Sequence, residues 1–183
     1  MGGVRLQVAD LQRSLAYYRD VLGLRVIAAS PDVAQLGAPG VDEALVTLLA
    51  VPGTTPVRRR GAFGLFHFAI LLPDRASLGR FVTHLASLGV PAGMSDHKIS
   101  EAIYLTDPDG LGIEVYADRA RASWRDAEQQ LVMTTDPLDV QNLVAAGGGV
   151  PWDGVPAATT MGHVHLHVGD LGEAATVRIT ATT

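Results

Sequence analysis

Three segments of this chain share one register, in which a position capable of ligation is followed seven residues later by an aspartate that opens a helix. They are Gly3 to Asp10, His67 to Asp74 and His163 to Asp170. The first slot reads Gly, His, His. A histidine recurring at one place in a repeated strand points to a metal site assembled between repeats. Strand alternation puts His67 on one face with Ala69 and Leu71, and puts Phe66, Phe68 and Ile70 on the other. In the last strand of the same repeat, Glu114 lies between Ile113 and Val115 and faces away from both, alongside Gly112 and Tyr116. A carboxylate in so apolar a run costs several kcal/mol to bury unpaired, so it needs a cation or a partner. Two imidazoles and one carboxylate with open positions remaining form the facial set that suits non-haem Fe(II). His165 and His167 share the strand face of His163, and alternation alone does not choose among the three. The repeat register selects His163, with His165 placed to support it. His84, on a predicted helix between Thr83 and Leu85, reads as a surface residue.

The elements that must position these residues follow from periodicity. Val4 to Val8 alternates as a half-buried strand does, and Asp10 caps a helix with apolar positions Leu11, Leu15, Tyr18 and Leu22, closed by Gly23. Extended runs follow at Arg25 to Ala29, Val33 to Leu36 and Ala44 to Val51, giving the order β-α-β-β-β. Pro52 to Gly64 reads as a linker. The order then repeats: a strand over Leu65 to Leu72, a helix over Arg75 to Leu88 ended by Gly89, and strands Ile103 to Thr106 and Ile113 to Tyr116 about the tight turn Asp107-Pro108-Asp109-Gly110.

After the second copy the periodicity lapses, with one helix predicted over Pro137 to Ala146. A third copy begins at Met161, and its β-branched residues after Ala174 disfavour a helix. The expected organisation is α+β: tandem βαβββ modules at 2–52 and 65–118, a connector at 119–160, and the incomplete start of a third module at 161–183.

Composition narrows the function classes. At 48% hydrophobic and 18% charged, the 183 residues can bury a substantial core. A net charge of −5 gives no surface for nucleic acid, and Arg58-Arg59-Arg60 reads as a solvated loop. The absence of cysteine excludes disulfides, thiolate metal sites and cysteine nucleophiles. No apolar stretch approaches the ~20 residues that span a bilayer, and the chain starts in a strand without a leader, so the expected location is the cytoplasm.

The opening Asp10-Leu11-Gln12-Arg13-Ser14-Leu15-Ala16-Tyr17-Tyr18-Arg19-Asp20-Val21-Leu22-Gly23-Leu24 and the strand Gly112-Ile113-Glu114-Val115-Tyr116 after Asp107-Pro108-Asp109-Gly110 resemble the vicinal oxygen chelate superfamily, which includes glyoxalases, bleomycin-resistance proteins and extradiol dioxygenases. The segments Phe66 to Pro73, Ser95 to Leu105 and Gly162 to Leu166 are similar to the four-module ring-cleaving catechol 2,3-dioxygenases. That resemblance implies paired modules curled into a cup, with Fe(II) on the concave face held by His67, Glu114 and His163. Mn(II), Zn or Ni are the other metals it allows. It implies an aromatic diol and O2 as substrates, with Tyr104 hydrogen-bonding a substrate hydroxyl or the oxygen at the iron. It also places His97 in the pocket as an acid or base, imidazole being the side chain that ordinarily titrates near neutrality.

Two departures stand out. Gly3 fills the ligand slot of the first copy, and that copy's last strand has no carboxylate, so the first copy reads as scaffold. The family has four modules where this chain has two and a beginning, which exposes a strand edge suited to homodimer pairing. The rival readings are a glyoxalase-like metal-dependent isomerase or lyase, a metal-free bleomycin-resistance-type binding protein, and an inactive truncated fragment.

Overall fold

Residues 2–55 and 63–176 are described by a computed structural model. In the first sheet, strands β1 (Val4–Val8), β2 (Arg25–Ala29), β3 (Val33–Gly37) and β4 (Val46–Ala50) lie in the order β1-β4-β3-β2, with β1 parallel to β4. Strands β5 (Gly64–Leu72), β6 (Gly93–Asp96), β7 (Ser100–Thr106), β8 (Gly112–Asp118) and β9 (Thr160–His167) form the second sheet in the order β6-β7-β8-β5-β9. The β-α-β-β-β order read from periodicity recurs in both sheets, and β9 joins the second by antiparallel pairing with β5. The class is α+β.

Helix α1 (Leu11–Ala16) is capped by Asp10, whose side chain accepts from Arg13 N. The single helix expected through Leu22 instead widens after Ala16 into a π turn over Tyr17–Val21. This turn leaves Tyr18 fully buried, stacked on Phe68 with its hydroxyl donated to Asp107 Oδ2 at 2.9 Å. Helix α2 (Arg75–Leu88) is capped by Asp74 and ended by Gly89 at φ +65°. The helix expected from Pro137 starts later, as α3 (Val140–Ala146), because Asp139 takes the cap and accepts from Asn142 N. A final helix, α4 (Leu171–Thr176), runs two residues past the expected break at Ala174. Arg58-Arg59-Arg60 lies outside the described residues.

Each face of β5 has its own neighbours. Phe68, Ile70 and Leu72 join Ile103, Leu105, Ile113 and Val115 in the main core, which also takes in Leu6, Leu36 and Leu48 of the first sheet. On the opposite face Ala69, Ala102 and Tyr116 form a smaller cluster with Leu71 and Tyr104. His67 and Glu114 belong to this second face.

The turn between β7 and β8 also joins the two halves of the chain. Asp107 Oδ1 accepts from the backbone N–H of Asp109 and of Leu111. Asp109 accepts from Ala9 N, Arg13 Nη2 and Ser14 Oγ at the head of α1. The connector folds back as well, with Val155 N donating to the Gly23 carbonyl. His84 is not a plain surface residue: it is half-buried, donates from Nε2 to the Asp20 carbonyl at 2.9 Å, and packs beside Trp152.

Candidate metal centre

Three neighbouring strands bring the chemistry-bearing residues together. β5 runs parallel to β8 with Ala69 opposite Glu114, and antiparallel to β9 with Ala69 opposite His163. Glu114 and His163 therefore flank Ala69 from its two sides, and His67 projects from the same face two residues earlier. The methyl group at Ala69 leaves the space in which all three side chains converge. Two irregularities bracket this patch. The β5–β9 pairing passes from Leu65↔Leu166 to His67↔His165, which leaves Phe66 as an extra residue in β5. It then passes from Ala69↔His163 to Ile70↔Met161, which leaves Gly162 as an extra residue in β9. Bulges of this kind re-aim side chains beside functional sites. Here two opposite bulges cancel in register and enclose the stretch that carries both histidines.

The donor atoms form a nearly equilateral triangle. His67 Nε2 and His163 Nε2 are each 3.1 Å from Glu114 Oε2, and 3.3 Å from one another. The three residues are the group that, among the described residues, presents converging metal-ligating atoms. Their chemistry fits a divalent ion: bonds of about 2.1 Å at right angles put neighbouring donors about 3 Å apart. His67 and Glu114 are buried, and His163 is half-buried. Burial opposes ionisation of Glu114, but hydrogen bonds and charge from His163 and then His67 outweigh it and hold the carboxyl down at about 2. The site thus keeps an anionic oxygen beside two imidazoles across the whole neutral range.

His97 and Tyr104 meet at the edge of this face. Cross-strand pairing sets Tyr104 opposite Glu114. His97 Nδ1 lies 2.7 Å from the Thr134 carbonyl, which can only accept, so that nitrogen carries the proton. Its Nε2 lies 2.8 Å from the Tyr104 hydroxyl, within hydrogen-bond reach. Burial, and then the charge of Glu114, push the Tyr104 phenol well up, so it keeps its proton. The turn that presents His97 puts Lys98 at φ +66°, a conformation supported by Asp96 accepting from Lys98 N and by the Lys98–Asp136 ion pair.

His165 and His167 are exposed on the rim. The His165 ring packs 4.8 Å from the His67 ring. Burial and then the neighbouring imidazoles His67, His167 and His163 lower the His165 pKa. Tyr116 shares the Glu114 face by alternation, and its ring lies 5.4 Å from that of His163 and directly over Gly162. A Cβ at Gly162 would stand 2.3 Å from the Tyr116 hydroxyl. Burial, then Asp118 and Glu114, push the Tyr116 phenol up to about 12. The signal available for it was the period-two spacing from Glu114 together with a glycine before the histidine.

A two-sheet α+β fold with a His-Glu-His triad on one sheet face defines a vicinal oxygen chelate type of protein. The sequence model of the Glyoxalase/Bleomycin resistance protein/Dioxygenase superfamily matches residues 1–115, and the chain belongs to that superfamily. It is 43% identical over 175 residues to a catechol-2,3-dioxygenase of Bacillus subtilis (strain 168), covering 95% of this chain and 61% of that protein. It is 30% identical over 115 residues to biphenyl-2,3-diol 1,2-dioxygenase 3 of Rhodococcus globerulus, covering 62% of this chain and 60% of that protein. The chain therefore spans about three fifths of the length of these relatives. The fold is also that of a glyoxalase/dioxygenase from Nostoc punctiforme, with a TM-score of 0.55 and 23% identity over 64% of this chain and 90% of that one. Among the described residues no helix is long and apolar enough to cross a membrane.

Proposed function

We propose that this protein is an extradiol dioxygenase that opens the ring of a catechol-type diol with O2, using Fe(II) held by His67, Glu114 and His163. The observation that carries this reading is the convergence of the three donor atoms at 3.1–3.3 Å on one face of one sheet. The likeness to a catechol-2,3-dioxygenase over 95% of the chain supports it. When bound, the ion supplies adjacent positions for both reactants and a path for electron density between them.

The chain's own groups do the rest. Glu114 stays ionised and contributes the negative charge that two neutral imidazoles lack. Tyr104 faces the triad with a protonated hydroxyl, placed to hydrogen-bond a diol oxygen. His97, fixed by Thr134 with Nε2 free to accept, takes a proton passed through that hydroxyl as the diol ionises. Ala69, Ala102 and Leu71 give the site an apolar floor that limits water. In the same reading the chain comprises modules at 2–52 and 65–118, a connector at 119–160 and the opening of a third module at 161–183. It works in the cytoplasm, as a homodimer joined through β9, the outer strand of the second sheet among the described residues. Sedimentation as a monomer with metal affinity intact would remove the dimer from this reading.

The test is oxygen uptake on mixing the Fe(II)-loaded chain with catechol, beside a His67→Ala variant. Uptake with a yellow ring-opened product, absent in the variant, is expected. Conversion of a substrate without oxygen would favour a glyoxalase-like isomerase. Tight binding of an organic ligand without metal would favour a sequestering protein, and metal binding without turnover an inactive fragment.

A further inference from the structure

Strict alternation would turn Phe66 away from His67, yet the bulge puts its ring on the side of the histidines. Its centroid lies 5.5 Å from that of His67, 5.0 Å from His165 and 4.3 Å from His167, the last nearly parallel at 19°. Phe66 is nonetheless 45% exposed, so one face of the Phe66–His167 stack is open beside the triad. An open phenyl face costs apolar surface, and the main core has no need of it.

We propose that Phe66, backed by His167, is the platform on which the substrate's aromatic ring and its substituent rest, so that this residue favours diols bearing a hydrocarbon substituent over unsubstituted catechol. The inference rests on the diol reading above and deepens it. Offset or edge-on stacking on an aromatic face adds to the area a ring buries. The bulge at Phe66 is what gives one residue pair two tasks, His67 toward the metal and Phe66 toward the organic ligand.

The test is anaerobic calorimetric titration of catechol and 3-phenylcatechol into the Fe(II)-loaded wild-type, Phe66→Ala and Phe66→Leu proteins. The wild type should favour 3-phenylcatechol over catechol. Phe66→Ala should weaken 3-phenylcatechol about three- to tenfold, and Phe66→Leu, which keeps bulk and loses the ring, should not restore it. Iron stoichiometry should stay at one in both variants. Equal diol affinities in all three proteins would overturn the platform and leave the dioxygenase reading standing. The platform would equally fall if Phe66→Ala changed sedimentation and left diol affinity alone, since the ring would then be covered by protein. Absence of diol binding in the wild type would remove both readings together.

Discussion

Replacing Asp109 by alanine should destabilise the protein by about 2–3 kcal/mol, more than its place in a surface turn suggests. Its carboxylate accepts from Arg13 Nη2 at 2.6 Å, and from Ala9 N and Ser14 Oγ at 3.3 Å each. The residue is 4% exposed and Ser14 is fully buried. Truncation leaves the buried Ser14 hydroxyl without its acceptor, at a cost of about 1–3 kcal/mol for a buried unsatisfied group, and frees the Ala9 N–H to water. The Arg13 side chain is 46% exposed, so its ion pair adds at most about 1 kcal/mol. Relief from burying a charge offsets part of the sum. For a chain of this length the net corresponds to a fall of roughly 5–10 °C in melting temperature. Urea unfolding at pH 7 reads it directly, and a double-mutant cycle with Ser14→Ala should show coupling between the two sites. If Asp109→Ala unfolded within about 0.5 kcal/mol of wild type, the turn would not be the clasp between the halves of the chain.

Other consequences concern the site and the helices. A Cβ at Gly112 would lie 2.6 Å from the Phe66 carbonyl oxygen and 3.0 Å from His67 Cβ. Gly112→Ala must therefore push β5 from β8, and metal affinity measured by titration should drop about 10- to 100-fold, matching an overpacking cost of 1–3 kcal/mol. Asp74 caps α2, and the Ser77 backbone N–H above all holds its carboxyl below the usual range. A lowered folded-state pKa stabilises above the unfolded value near 4, and that stability is lost as pH falls through the folded value. Asp74→Ala should thus cost about 1 kcal/mol at pH 7, with the gap to wild type closing in acid unfolding below pH 4. Tyr104→Phe should bind iron as wild type does and slow oxygen uptake about 10²-fold, as loss of a proton-relay group would. Unchanged turnover would take Tyr104 out of the chemistry.

Much of this arrangement was legible because period-two alternation and repeat register are strong local signals. They put His67, Glu114 and His163 on one face, and the pairing of β5 with β8 and β9 turned a shared face into a shared point. What was not legible depends on the neighbouring strand. The bulges at Phe66 and Gly162 exist only in the register between β5 and β9, and no residue type near Phe66 announces one. The π turn at Tyr17–Val21 goes with the burial of Tyr18 against Phe68 and Asp107, contacts about 50 and 90 residues away in the chain. His84 looked exposed because the connector residue Trp152, which folds back beside it, carries no periodic signal.

In the proposed function, β5, β8 and β9 build one metal site from His67, Glu114 and His163. Anaerobic calorimetric titration with Fe(II), run on the wild type and on His67→Ala, Glu114→Ala and His163→Ala, tests it most directly, with thermal unfolding of each to confirm the fold. One ion per chain is expected in the wild type and at least a 100-fold loss of affinity in every folded variant, removal of a ligand costing more than the 10–100-fold of a supporting group. Binding that survives any one of the three substitutions undiminished would contradict it.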